Sequence, residues 1–210
     1  MDSLIFLTIV VAAICFFVIL RSFRSEEEIK EMDSSSLSPS SYLSHKWTHD
    51  VFPSFRGEDV CRDFLSHIQK EFQRKGITPF MDNEIKRGES IGSELIHAIR
   101  GSKVAIILLS RNYASSKWCI EELVEIMKCR ERLGQTVMAV FHKVDPSDVK
   151  CLTGDFGKAF RKTCAGKSKE DIKRWRQALA KVATIAGYHS SNWLVFSNST
   201  CFFVLNGERL

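Results

Sequence analysis

The chain lacks any closely spaced pair of cysteines. Its seven cysteines are scattered along 210 residues, and their number is odd: Cys15, Cys61, Cys119, Cys129, Cys151, Cys164 and Cys201. A structural zinc site needs Cys or His ligands at short, regular spacings, and a disulfide framework needs paired cysteines. The pattern therefore predicts a protein of a reducing compartment, with no structural metal and no disulfide framework.

Two phosphate-binding glycine motifs are also missing. No G-x-G-x-x-G follows the first apolar run of the globular part, and no G-x-x-x-x-G-K-[ST] occurs anywhere. These motifs cradle phosphates with backbone N–H groups at the start of a helix. Their absence excludes a Rossmann dinucleotide site and a P-loop of the usual kind, although the net charge of +5 permits contact with phosphates or anionic lipid.

Residues 4–20 form a long uncharged run, LIFLTIVVAAICFFVIL, followed by Arg21 and Arg24. The run reaches the short end of the length that spans a bilayer, and the flanking arginines predict that the rest of the chain lies in the cytosol. We expect residues 1–24 to anchor the protein in an endomembrane or the plasma membrane. A cleaved signal peptide is disfavoured because Asp2 precedes the run. An N-terminal helix buried in an oligomer is the alternative.

Two further segments lie outside the globular part. Residues 25–46 are acidic and then serine-rich, with few large apolar side chains, so they cannot bury enough surface to fold alone. They are predicted to be a linker. Residues 194–210 form a tail for which the sequence predicts no fold.

Strand and helix patterns alternate through the body of the chain. Apolar runs predict strands at residues 50–55, 77–82, 104–110 and 136–141. Helical spacing of apolar residues predicts helices at residues 60–75, 90–100, 117–132 and 169–185, the last with Trp175, Leu179 and Val182 inward. This alternation is typical of an α/β fold with a parallel sheet, in which ligands bind outside the carboxyl ends of the strands.

An ordered set of short segments resembles a known family. DVFPSFRGED, FLSHI, GITPFMD, RGESI, ELIHAI, LLSRNYASSKWCIEEL, VDPSDV and GDFGKAF follow one another within residues 47–193. Together they closely resemble the Toll/interleukin-1 receptor (TIR) domain of plant intracellular immune receptors, most of all a downy-mildew-resistance subgroup. The resemblance implies a flavodoxin-like domain of five parallel strands with helices on both faces. It implies a TIR-only form, because neither a P-loop nor a repeat is found.

The resemblance also implies an activity. Many such domains hydrolyse NAD⁺ to nicotinamide and ADP-ribose or cyclic ADP-ribose-type signals, so the chain is expected to be an NAD⁺ glycohydrolase of plant innate immunity. NAD⁺ is then the substrate, and no cofactor is expected. The family's catalytic glutamate falls on Glu122. Helical spacing alone does not separate it from Glu121, because both lie one turn from Trp118.

The remaining site residues also follow from the resemblance. Nucleotide contacts are expected from three places. They are a mobile loop that contains Gly88, the aromatic ring of Trp118, and the loop after the first strand, with Ser54, Phe55, Arg56, Gly57, Glu58 and Asp59. The Arg56 guanidinium suits a phosphate, but a structural ion pair is the open alternative. Cys119 is a weak candidate nucleophile, since no histidine stands near it in sequence.

The resemblance also implies partners. Ser66 and His67 match a helix that packs against another TIR copy in the family, which implies self-association and pairing with other immune receptors; an ordinary helix surface is the alternative. At His142, Lys143 and Cys151 the sequence differs from the pattern that is usual in the family. These differences favour an alternative function, a non-enzymatic adaptor or decoy. The basic segment at residues 158–181 is predicted to be a solvated face, so nucleic acid is not an expected partner.

Overall fold

The computed structural model describes residues 47–60, 69–70, 72–80 and 92–189. Several predictions lie outside these residues: the anchor, the linker, the tail, and the roles of Ser66, His67 and Gly88. Among the described residues, no helix has the length and apolar character needed to cross a membrane.

A parallel sheet forms the centre of the fold. Its strands, in spatial order, are β1 (His49–Phe55), β2 (Ser102–Ser110), β3 (Thr136–His142) and β4 (Tyr188–His189). The predicted strand at 77–82 is seen as one parallel bridge between Val51 and Pro79, on the side of β1 away from β2. The parallel α/β fold is thus confirmed, and the described part of the expected five-stranded sheet comprises four strands and this bridge.

β2 lies in the middle of the sheet and is buried on both faces. Val104, Ala105, Ile107 and Leu109 are each no more than 1% exposed, as a uniformly apolar strand requires. Its partners keep a regular register, with Ser54 of β1 beside Ile107, and His142 of β3 beside Ser110. The carboxyl ends of the three strands consequently meet at one edge of the sheet.

In the ranges that the structure describes, helices and two short 3-10 turns surround the sheet. The helices are α1 (Ser93–Arg100), α2 (Lys117–Leu133), α3 (Pro146–Cys151), α4 (Gly154–Thr163) and α5 (Lys169–Val182), and the turns are Gly57–Asp59 and Tyr113–Ser115. The Ser116 hydroxyl caps α2 by accepting from the Cys119 N–H at 3.3 Å. Gly134, with φ 68°, ends the same helix in the left-handed region that glycine tolerates.

The longest predicted helices match the structure within a few residues. α2 runs one residue past its predicted range of 117–132, and α5 ends at Val182, three residues before the end of its predicted range of 169–185. Trp175, Leu179 and Val182 are fully buried, as predicted. Residues 69–70 and 72–74 are helical, inside the predicted range 60–75. The helix expected from Ser90 is seen from Ser93, with Gly92 as its N-cap. α3, α4 and β4 were not predicted. α3 and β4 are too short to show a period, whereas α4 has Phe156 and Phe160 at helical spacing, which was the available signal.

The junction of α3 and α4 has no room for a side chain at Gly157. A Cβ atom there would lie 1.9 Å from the carbonyl oxygen of Leu152, a backbone atom. Leu152 itself ends α3 with φ 57°, so the turn is already held in an uncommon conformation. This close approach explains why the GDFGKAF segment carries its second glycine.

Replacing Gly157 therefore tests the packing of this junction. We expect Gly157→Ala to lower the free energy of unfolding by about 1–3 kcal/mol, the usual cost of overpacking, as measured by urea denaturation. Gly92→Ala is the control, because a Cβ there meets nothing within 4 Å; its loss should be below about 1 kcal/mol. Equal losses for both variants would contradict the steric explanation.

Candidate active site at the carboxyl ends of β1 and β2

A buried carboxyl group lies where the end of β1 meets the first turns of α2. Glu122 is 7% exposed, and its Oε2 shares a 2.6 Å hydrogen bond with the hydroxyl of Ser54, which is fully buried. Ser54 occupies the inward-facing position next to the last residue of β1. Burial of a charged residue type at the ligand edge of a parallel sheet is typical of a functional site.

Tyr113 extends this contact into a chain of polar groups. Its hydroxyl lies 2.9 Å from the Ser54 hydroxyl and donates to the carbonyl oxygen of Cys119 at 2.9 Å. Burial raises the pKa of the Tyr113 phenol well above its usual value, and the neighbouring Cys119 and Glu122 raise it further. The phenol therefore keeps its proton at every physiological pH. Tyr113 was not among the site residues predicted from the sequence; its position just after a buried strand was the available signal.

The adjacent glutamates face different parts of the protein. Glu121 Oε1 accepts a 3.0 Å hydrogen bond from the indole Nε1 of Trp175 in α5, and Arg174 lies 3.7 Å from its other oxygen. Glu121 thus joins α2 to α5, whereas Glu122 points to the sheet edge. The structure separates two residues that helical spacing alone left equivalent.

The loop after β1 is held by its own charges. Arg56 donates to Asp59 Oδ1 at 2.7 Å and also pairs with Glu58. Asp59 in turn accepts from the Ser110 hydroxyl and, at 3.3 Å, from the Asn112 amide. This ion pair is the structural alternative to a phosphate contact that the sequence allowed for Arg56. Through the contacts of Asp59, the loop is bound to the end of β2. The Arg56 side chain remains one-fifth exposed.

Three other predicted residues lie around the same edge. Trp118 is half-buried against the core, and Gly57 is half-buried in the first 3-10 turn. The Cys119 thiol is buried and donates to the carbonyl oxygen of Phe55 at 3.5 Å. A buried thiol in a hydrogen bond is poorly placed to act as a nucleophile.

Cations border the site at the end of β3. Arg111 donates to the carbonyl oxygen of Lys143 at 2.7 Å, and Lys143 adopts φ 53°. Burial and the Lys143 charge lower the pKa of His142, with Asp59 opposing them. Within the part of the chain that the structure describes, no group of three or more His, Cys, Asp or Glu side chains is arranged to hold a metal ion.

The assignment of Glu121 to helix packing is testable. We expect Glu121→Ala to lower the free energy of unfolding by about 1–3 kcal/mol, because the buried Trp175 N–H loses its acceptor. Glu121→Gln keeps a carbonyl oxygen for that N–H and should cost less than about 1 kcal/mol, as measured by urea denaturation. If both variants lose the same stability, the charge opposite Arg174 matters more than the hydrogen bond.

Known proteins are similar to this chain in sequence. A family model described as TIR domain matches residues 48–199. The chain is 65% identical over 179 residues to Disease resistance protein TAO1 and 60% identical over 179 residues to Probable disease resistance protein RPP1, both of Arabidopsis thaliana. Each match covers 84% of this chain but 15% of the relative, so the chain spans about one-seventh of these relatives' length.

A solved structure agrees with these matches. The fold is similar to the TIR domains of the activated Roq1 resistosome that directly recognises the pathogen effector XopQ. The two are 44% identical in sequence, with a TM-score of 0.63, over 70% of this chain and 90% of that one.

Proposed function

Because this chain belongs to the TIR domain family, we propose that it is an NAD⁺ glycohydrolase with Glu122 as its catalytic carboxylate. The supporting observation is the placement of Glu122. It lies buried at the carboxyl end of β1 against Ser54, while Glu121 is engaged by Trp175 of another helix. Of these two glutamates, Glu122 is therefore the one at the edge where parallel sheets bind ligands.

The chemistry needs a carboxylate and no general acid. The N-glycosidic bond of NAD⁺ breaks with both electrons going to nicotinamide, which leaves as a neutral molecule. The ribose becomes an oxocarbenium ion, and a nearby carboxylate stabilises its positive charge. Water then adds to the ribose and loses a proton to give ADP-ribose; attack by an adenine nitrogen gives a cyclic product instead. Burial of Glu122 strengthens the attraction, because the local dielectric is low.

The surrounding residues are assigned to the nucleotide. Ser54, Phe55, Gly57, Glu58 and Asp59 form or flank the loop after β1, and Arg56 would exchange a carboxylate partner for a phosphate oxygen. Trp118 would wall the site with its apolar face. Gly88 belongs to the proposed loop over the site.

The relatives suggest the setting of this reaction. Two are disease resistance proteins, and one solved relative is an activated resistosome. We extend the proposal to innate immune signalling in plants, with TIR copies associating with one another and with those of other receptors through the Ser66 and His67 helix. Residues 4–20 would anchor the chain to a membrane, with its TIR domain in the cytosol.

Nicotinamide release from NAD⁺ tests the activity. The full chain, at a concentration that permits self-association, should release nicotinamide. Glu122→Gln should lower the rate by about a hundredfold or more, the loss expected for one preorganised electrostatic contact. Glu121→Gln makes the same chemical change one residue away, on the face bound to α5, and should stay within about twofold. Equal rates for both variants would exclude the catalytic assignment.

A second function is favoured by the state of Arg56. Its guanidinium is already paired with Glu58 and Asp59, so the N–H groups proposed to bind a phosphate are engaged by carboxylates. A non-enzymatic adaptor or decoy would not need the Arg56 guanidinium to bind a phosphate. Folded chain that releases no nicotinamide at any concentration, yet binds the TIR domain of TAO1, would support this alternative over the enzyme.

A further inference from the structure

The hydroxyl group of Tyr113 lies in a position where packing alone would favour a phenylalanine. The Tyr113 side chain is fully buried and belongs to the main hydrophobic core. A phenylalanine would fill nearly the same volume without a polar atom that needs a partner, since a buried hydroxyl opposes folding unless it is hydrogen-bonded. The contacts of this one hydroxyl therefore indicate what it does.

The Tyr113 hydroxyl contacts both elements that carry the candidate site. It lies 2.9 Å from the hydroxyl of Ser54, near the end of β1, and it donates to the carbonyl oxygen of Cys119, in the first turn of α2, at 2.9 Å. Inside an α-helix that carbonyl has a regular partner, the backbone N–H of Leu123 four residues later. The tyrosine hydroxyl is thus not required to complete the hydrogen bonds of α2, but it ties the start of the helix to the end of the strand.

Glu122 closes these contacts into a ring. Its Oε2 accepts from the Ser54 hydroxyl at 2.6 Å, and its backbone lies three residues after Cys119 in the same helix. From Ser54 the ring runs through Tyr113 to Cys119 and returns along α2 to Glu122. A shift of the first turn of α2 away from β1 would therefore lengthen the contact between Ser54 and Glu122.

The backbone on both sides of the tyrosine hydroxyl is held by other contacts. The Cys119 N–H donates to Ser116 Oγ at 3.3 Å, and the Cys119 thiol donates to the carbonyl oxygen of Phe55 at 3.5 Å. The 3-10 turn before α2 is bound to α4, because Thr163 Oγ1 donates to the carbonyl oxygen of Ala114 at 2.7 Å. The hydroxyl thus connects two segments that are each fixed independently, which suits a role in setting their separation.

We propose that Tyr113 is a positioning residue for Glu122: it holds the Ser54 hydroxyl and the first turn of α2 at the separation at which Ser54 binds the Glu122 carboxyl. The inference deepens the proposed function and rests on it for its catalytic consequence. Tyr113 is fully buried, so it acts through Ser54 and α2 and not on NAD⁺ itself. A group that stabilises a transition state must be held in place, since a displacement of about 1 Å can cost about a hundredfold in rate.

The kinetics of Tyr113→Phe test this role, because the variant keeps the ring and removes the hydroxyl. We expect the kcat of nicotinamide release by the full chain to fall about tenfold, with KM within about twofold of the parent. The orientation of Glu122 is lost, whereas the groups proposed to bind NAD⁺ are unchanged. Tyr188→Phe, which removes a hydroxyl from β4, is the control and should keep the parental kcat. A parental kcat in folded Tyr113→Phe would overturn the inference.

A double variant separates positioning from general damage to the site. In the Glu122→Gln background, Tyr113→Phe should change the remaining rate by less than about twofold, because the side chain that Tyr113 positions has already lost its charge. A further tenfold loss in that background would show that the hydroxyl does not act through Glu122, and this would contradict the proposal.

Ser54→Ala is the second variant if Tyr113→Phe fails to fold. It removes the same contact from the other side, together with the hydroxyl bound to Glu122. Its kcat should fall at least about tenfold. In folded protein, a parental kcat for Ser54→Ala would exclude a positioning role that acts through Ser54.

Carbon NMR provides a readout that requires no activity. The full chain is labelled with carboxyl-¹³C glutamate, and the Glu122 signal is assigned by its absence in Glu122→Gln. Tyr113→Phe should move this signal further than those of Glu121 and Glu125, which are held on the same helix by Trp175 and by two cations. A moved Glu122 signal in a chain that releases no nicotinamide would refute the proposed hydrolase and leave the positioning role standing. An active parent in which Tyr113→Phe changes neither the Glu122 signal nor kcat would do the reverse.

Discussion

The parallel pairing of β1 with β2 determines where every group of the candidate site lies. Because the strands run in the same direction and in register, Ser54, Ser110 and the turn holding Tyr113 reach the same edge of the sheet. α2 begins at that edge, with its first turn capped by Ser116. A one-residue slip of β1 would turn Ser54 to the other face of the sheet and remove the contact with Glu122.

α2 places three glutamates in three environments within five residues. Glu121 accepts from an indole of α5, Glu122 accepts from the Ser54 hydroxyl, and Glu125 meets two cations. Burial makes an isolated carboxylate costly, so each position needs its own compensation. The compensations differ because the helix turns by about 100° per residue and so presents each carboxyl to a different neighbour.

The sequence predicted most of this framework and less of the site. β2 and α2 were recognisable because they are long and strongly patterned, whereas α3 and α4 depend on a capped turn and on the absence of a side chain at Gly157. Helical spacing from Trp118 did not distinguish Glu121 from Glu122, and the expectation that Glu122 is catalytic came only from the family resemblance. Tyr113 was missed, since its contacts with Ser54 and Cys119 arise from tertiary packing.

The same packing explains how a carboxyl-bearing side chain can be kept in a buried position. Burial of a polar group away from hydrogen-bonding partners opposes folding, and a contact with a hydroxyl offsets part of that cost. Glu122 makes its contact with Ser54 across two elements, since one residue belongs to α2 and the other to β1. The geometry of the candidate site and the packing of α2 on the sheet therefore depend on the same residues, and a substitution at either position should disturb both.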